Sequence, residues 1–274
     1  MIRSLKYVNN LGRSVEFGAE SVWHFGGNDL FNIKTEYSQV GRTITSFNNG
    51  IREFVLNAFL RGGSIADINE FIDVISYDTY IAKPGILYAG DSYMYCYIQS
   101  CDLSNYQYID GHANLSLTVL SDNPVWVRKV TTTLTQRTAK PTAGLNYPYN
   151  YPYNYLASND ENDSVTNPFQ LPAKCDISFA GPCVSPYVII GRNRYQVNAT
   201  ADKGQLIIIK GFGTKDIVLK SSDGSETSIF SAGVRKKDAH CFAEIPVGTN
   251  TASWPGTPNI EIAIYEERRS PWQI

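Results

Sequence analysis

A mostly-β chain of two domains is the fold class the sequence predicts, and three observations predict it. Short stretches alternating apolar and polar residues recur along most of the length, bounded by Gly, Pro, Asn and Asp clusters. Only one segment carries an apolar stripe at helical spacing. A Tyr- and Pro-rich stretch interrupts the pattern midway, and 274 residues suits two cores better than one, since domains run ~100–150 residues.

The elements follow in order. Ser14–Phe17 alternates, and Leu30–Tyr37 does so more loosely. Gly26-Gly27-Asn28-Asp29 reads as a turn, and Asn48-Asn49-Gly50 as another before the strand Arg52–Leu56. Ser64 is then a good N-cap with Asp67 three residues on, a variant of the capping box. Ile65, Ile68, Phe71, Ile72 and Ile75 follow at helical spacing, a stripe to lay on a sheet, and Tyr77-Asp78 ends the helix. Past Pro84-Gly85 the alternation resumes with Ile86 and Tyr88. Next, Tyr93, Tyr95 and Tyr97 line one face of a strand, with Met94, Cys96 and Ile98 on the other. His112–Leu120 places Ala113, Leu115, Leu117 and Val119 on one side and stops at Ser121-Asp122-Asn123-Pro124.

After Val125–Arg128 the composition changes. Residues 131–142 are polar, 146–155 read NYPYNYPYNY, and an acidic polar stretch follows to Ser164. Prolines at this spacing break hydrogen-bond ladders. The expected organisation is therefore 1–130, a Tyr/Pro-rich linker at 131–168, and a second domain at 169–274. In the second domain Pro186–Ile190, Arg194–Ala199, Gln205–Lys210 and Asp216–Leu219 read as strands, Ser222-Asp223-Gly224 as a hairpin turn, and Phe242–Ile245 and Asn259–Glu266 as further strands. The spacing is that of a β-sandwich.

Composition narrows the function. Charged residues make up 18%, net charge is −2, and the chain holds 18 Tyr and 4 Trp. Such a surface loses little desolvation energy when another protein covers it, because interface cores are poor in charge and rich in aromatics. The same aromatics would equally serve as ordinary strand residues. No basic field would recruit nucleic acid, and the apolar run Leu206–Ile209 is far too short to span a bilayer. Five cysteines without a CxxC pair and three histidines without HExxH argue against a disulfide framework and a zinc site, so no cofactor or metal is expected.

No catalytic motif stands out. Gly211-Phe212-Gly213 lacks the third glycine and the helix of a phosphate loop, and there is no GxSxG elbow. Asp91, Asp102, Asp110 and Glu266 are the carboxylates among which a glycosidase pair would hide, with nothing to set them apart from surface acids. The expectation is a protein without a catalytic site. A rival of another class is a carbohydrate-binding accessory module for host-surface adhesion, in which Trp254 or Tyr195 would stack on a sugar ring. The alternative for Trp254 is a cover over the core beside Pro255-Gly256. For Tyr93, Tyr95 and Tyr97 two readings likewise stand: a strand that continues a sheet into a neighbouring subunit, or ordinary packing against the helix.

Several motifs occur together and in order: Asp122-Asn123-Pro124-Val125-Trp126, the NYPYNYPYNY segment, Gly181-Pro182, Tyr195–Ala199, Phe242–Gly248 as FAEIPVG, and Glu267-Arg268-Arg269-Ser270-Pro271-Trp272. As an ordered set spanning nearly the full chain they resemble the distal tail proteins of long non-contractile-tailed phages. The ending departs from the family's Arg-Ser-Glu-Pro-x-Trp by lacking the acid, which touches one surface contact. The resemblance implies an N-terminal ring-forming domain with a split β-barrel-like sheet and one helix, and a C-terminal galectin-like sandwich. It implies a virion protein of the tail tip, made in the bacterial cytoplasm. Its partners would be itself as a homo-hexamer, the tail tube protein, the tail-tip protein and the receptor-binding protein.

Overall fold

A computed structural model describes residues 4–107, 111–135 and 163–272. The chain is mostly β, and it divides into two compact units, Met1–Arg128 with Glu267–Ile274, and Lys129–Glu266. The NYPYNYPYNY segment and Asp110 lie outside the described residues.

In the first unit the strands are β1 (Ser4–Val8), β2 (Ser14–Gly18), β3 (Trp23–Asn28), β4 (Glu36–Val40), β5 (Thr43–Asn48) and β6 (Arg52–Leu60). Helix α1 (Ile65–Ile81) follows, then β7 (Gly85–Ala89), β8 (Ser92–Gln107), β9 (His112–Ser121) and the start of β10 (Trp126–Leu134). Seven strands run in the order β8-β7-β1-β2-β3-β6-β9, and pairing of β8 with β9 closes them into a barrel-like sheet. Closure removes the open edges that such a sheet would otherwise expose. Inward residues follow the period of two: Leu5 and Tyr7, Val15 and Phe17, Met94, Cys96 and Ile98, and Ala113 through Val119 at every second position are all buried.

The capping box of α1 is complete. The Ser64 hydroxyl accepts from the Asp67 backbone N–H, while the Asp67 carboxylate accepts from the Ser64 backbone N–H at 2.7 Å. The helix buries Ile68, Phe71, Val74 and Ile75, and Phe71 lies 6.2 Å from Phe17, edge-on, and 4.7 Å from Trp23. Burying a side chain of that size is worth about 1.5–3 kcal/mol. Two members of the expected stripe, Ile65 and Ile72, are instead exposed. The helix also runs past Tyr77-Asp78 to Ile81, because Asp78 is buried there as an acceptor for β1 and the loop after it.

Two other expectations are corrected in this unit. Gly26 lies inside β3, not in a turn. A Cβ at Gly26 would meet the Asn57 carbonyl oxygen at 2.7 Å, so close approach of β3 to β6 explains the glycine. Residues 32–35 are not a strand; the strand begins at Glu36.

The second unit contains β11 (Asp163–Asn167), β12 (Lys174–Ala180), β13 (Cys183–Val184), β14 (Tyr187–Ile190), β15 (Asn193–Gln196), β16 (Thr200–Ala201) and β17 (Leu206–Lys210). After them come β18 (Asp216–Lys220), β19 (Glu226–Ser228), β20 (Arg235–Lys236), β21 (Ala239–His240), β22 (Gly248–Ser253) and β23 (Ile260–Arg268). One sheet runs β19-β18-β17-β12-β23 and another β11-β22-β14-β15. Their inner residues, among them Ile177, Phe179, Ile207 and Ile262 from one and Val188, Ile190 and Ala252 from the other, form a single buried cluster. Phe242–Ile245 is not a strand; it contributes one isolated bridge, Ile245 to Ala173.

Candidate assembly surface

Among the described residues β4 and β5 form a hairpin that pairs only with itself. Gly41 supplies a positive φ of 62° at its turn, where Val40 pairs with Thr43. Thr45 Oγ1 donates to the Ser38 carbonyl at 3.1 Å across the register shift between Ser38 and Gln39. Every residue of both strands is exposed. Four of them are large and apolar, with exposures of 59% for Tyr37, 73% for Val40, 51% for Ile44 and 62% for Phe47. Tyr37 sits opposite Phe47, and Ile44 pairs with Gln39 two residues on, so these three share a face. An isolated two-stranded hairpin is marginal in water at best. Ile33 and Ile51 extend the apolar exposure to its base, where Arg269 donates to the Thr35 hydroxyl.

A groove opens between α1 and the second half of β8. Ile68, Ile72, Ile75, Ile98, Leu103 and Leu115 give it an apolar lining, and its volume is about 240 Å³. Small-molecule sites enclose roughly 300–1,000 Å³, so this space suits one or two side chains. Cys101 also lines it, with its thiol pushed up to about 11 by burial and then by the neighbouring Asp102 carboxylate.

The aromatic strand expected to extend a sheet into a neighbour is already paired on both sides. β8 meets β7 along Ser92–Cys96, while Tyr93 pairs with Val127 of β10 and Tyr97 with Leu120 of β9. Between those two pairings the Ser121 hydroxyl donates to the Tyr95 carbonyl at 2.8 Å. Edge pairing by another chain is therefore blocked here. What faces outward is a set of side chains: Tyr93 lies 6.0 Å from Tyr88 and 5.7 Å, edge-on, from Tyr95. Their side chains lie on the face of β8 opposite Met94, Cys96 and Ile98, which are buried in the core of the first unit.

The two residues named for sugar stacking are not brought together on an open face. Tyr195 is fully buried, and its hydroxyl donates to the Ala243 carbonyl at 3.1 Å, so its ring is a core component. Burial first, and then the adjacent Cys175, hold that hydroxyl well above its usual range. Trp254 is half-buried against the core of the second unit. Of the carboxylates singled out, Asp91 and Asp102 are exposed in the first unit and Glu266 belongs to the second. Among the described residues no three His, Cys, Asp or Glu side chains gather as a metal site would require, and no helix is long and apolar enough to cross a membrane.

Solved structures offer full-length comparisons. The hub protein Dit of phage SPP1, described as a paradigm of the hub adsorption apparatus in phages infecting Gram-positive hosts, superposes with a TM-score of 0.55 at 10% identity, covering 96% of this chain and 99% of that one. A chain of the phage P2 baseplate in its activated conformation with Ca gives 0.60 at 12% identity, covering 99% and 100%. The same baseplate with Sr gives 0.60 at 11%, covering 98% and 99%. The chain shares the fold of phage hub and baseplate proteins. No family pattern and no curated protein matches the sequence itself. The exposed hairpin was missed by sequence reasoning because both faces of its strands are exposed, so no burial enforces a period of two. Its only local signal was the Gly41-Arg42 pair between two β-rich runs.

Proposed function

We propose that this chain is a phage distal tail protein: a structural hub that closes into a ring of six copies and joins the tail tube to the tip apparatus carrying the receptor-binding protein. The observation that supports it most is fold likeness to hub and baseplate proteins over nearly the whole of both chains. The motif order read from the sequence agrees. So does a hairpin whose apolar face is left exposed among the described residues. In this reading the role is structural and not catalytic, and the protein resides at the tail tip of the virion after synthesis in the host cytoplasm. In the same reading the first unit forms the ring, and the second is a galectin-like sandwich.

A closed ring needs a heterologous interface, two different patches repeated around an axis. Assembly also depends on concentration by mass action. Light scattering after size exclusion over a concentration series, with negative-stain images of the largest species, tests the reading. Six-fold rings, or incorporation of tagged chain into tail particles when its neighbours are co-expressed, is the expected result. A strict monomer that stays out of tail particles under both conditions overturns it.

A further inference from the structure

One edge of the second unit concentrates positive charge in a chain whose net charge is −2. The β14–β15 and β20–β21 hairpins form it together. Asn193 Nδ2 donates to the His240 carbonyl and the His240 backbone N–H donates to Asn193 Oδ1, each at 3.0 Å. The Arg194 backbone N–H donates to the Asp238 carbonyl at 3.2 Å. Residues 186–201 and 229–243, which contain the two hairpins, carry Arg192, Arg194, Arg235, Lys236 and Lys237 against one carboxylate, Asp238. Arg192, Arg235, Lys236 and Lys237 are exposed, and among the described residues none of the five cations is in an ion pair. We propose that this edge binds a phosphodiester polymer of sugar or polyol units carried on the host surface. The binding itself stands apart from the hub reading; only the host as source of the polymer rests on it.

Three observations select that ligand. Two guanidinium groups are held in place over aromatic rings before any ligand arrives. Arg194 Cζ lies 3.9 Å from the centre of the Tyr187 ring, and Arg235 Cζ 3.8 Å from that of Phe230, whose carbonyl also accepts from Arg235. Arg194 Nε is buried with no hydrogen-bond partner among the described residues, so the ring and not a carboxylate holds it. A guanidinium fixed in this way presents a planar fork suited to paired phosphate oxygens. Next, the cations are distributed along the edge, from the β14–β15 turn through β15 to the β20–β21 hairpin. A polymer with a charge at each repeat engages several of them at once, while a single phosphate does not. Finally, the rings of these segments are engaged within the protein. Tyr187 and Phe230 lie under guanidiniums, Phe242 stacks on Phe230 at 5.8 Å, and Tyr195 is buried. That favours a polymer without bases, because stacking on aromatic faces is a main source of affinity for single-stranded nucleic acid. Five cations around these rings also suit a protein partner poorly, since interface cores are depleted in charge.

Binding of the full-length protein to immobilised poly(glycerol phosphate), read by biolayer interferometry, tests the assignment. The expected result is binding at low ionic strength that weakens steeply as salt is raised. Lys236→Glu combined with Lys237→Glu changes two exposed side chains. It should weaken binding roughly tenfold or more with the circular dichroism unchanged. Lys34→Glu combined with Lys83→Glu makes the same charge change at exposed positions of the first unit and should leave binding nearly as it was. Arg194→Lys keeps the charge and removes the fork, and should weaken binding several-fold. No binding at low salt, no loss in the Lys236/Lys237 variant, or an equal loss in both double variants would overturn the edge as the site. Equal binding of polyglutamate would overturn the choice of phosphate, and tighter binding of single-stranded DNA would overturn the choice of a polymer without bases. Competition by inorganic phosphate as strong as by the polymer would show a single-ion site instead. A monomer that never joins tail particles would end the hub reading and with it the host as source, while leaving these binding results to stand or fall alone.

Discussion

At Tyr7 a single hydroxyl ties the first strand to the last turn of the helix. It donates to Asp78 Oδ2 at 2.6 Å, and the Asn10 backbone and side-chain amides both donate to Oδ1 at 2.9 Å. Gly85 packs so closely on this pair that a Cβ there would collide with both Asp78 and Tyr7. Burial, and after it the bond to Asp78, holds the Tyr7 hydroxyl well above its usual 10.0. The folded protein therefore keeps a proton that the unfolded chain releases once pH passes about 10. This contribution to stability is complete below that pH and is lost as pH rises beyond it, at up to about 1.4 kcal/mol per pH unit. Urea unfolding of Tyr7→Phe should show a loss of about 1–3 kcal/mol at about pH 8, from a buried carboxylate one donor short. It should also show a shallower alkaline decline than the parent. An equal decline in both would mean that Tyr7 does not carry it. None of this network could be read from the sequence, because Tyr7 and Asp78 are 71 positions apart and neither has a motif around it.

Elements were legible where burial within the chain enforces a period. β8 and β9 alternate because one face fills the barrel: the sequence groups Met94, Cys96 and Ile98 on one face and Leu115, Leu117 and Val119 on another, and these are the buried ones. The start of α1 was equally readable, since capping chemistry is local. Replacing Ser64 by Ala removes the acceptor for the Asp67 N–H and should cost about 0.5–2 kcal/mol in chemical unfolding; a change near zero would show that the Asp67 carboxylate alone sustains the cap. β12 was missed although Cys175, Ile177 and Phe179 alternate into the core. Its polar partners Asp176 and Ser178 look like turn residues in isolation. In place, Asp176 accepts from the Gly211 and Phe212 backbone N–H groups and from the Tyr265 hydroxyl, at 2.8, 3.0 and 2.8 Å. The tyrosines of β8 share the face that the alternation gives them, but sequence does not show that the edges of the strand are already taken.

For the whole molecule, the ordered motifs carried the reading further than any single one, and the fold comparison agrees with them over nearly the full length. Each unit has its own buried cluster, one built around Phe17, Phe71 and Trp126 and the other around Ile177, Phe179 and Tyr195. Calorimetry should accordingly resolve two unfolding transitions. Phe71→Ala, which empties part of the first cluster at a cost of about 3–5 kcal/mol, should lower one transition by several degrees and leave the other in place. One transition that moves as a whole would show that the units unfold together.

Trp272 has a guanidinium over its ring from each of two places, Arg128 at 4.9 Å and Arg268 at 5.6 Å. Arg128 is where the chain leaves the first unit, and Arg268 follows directly on its return at Glu267. Exit and re-entry thus meet at one indole. In genetic terms the second unit is a cassette spliced into the first, with both junctions at the same spot. Recombination at two neighbouring points would exchange the second unit while the barrel's ladders stay untouched.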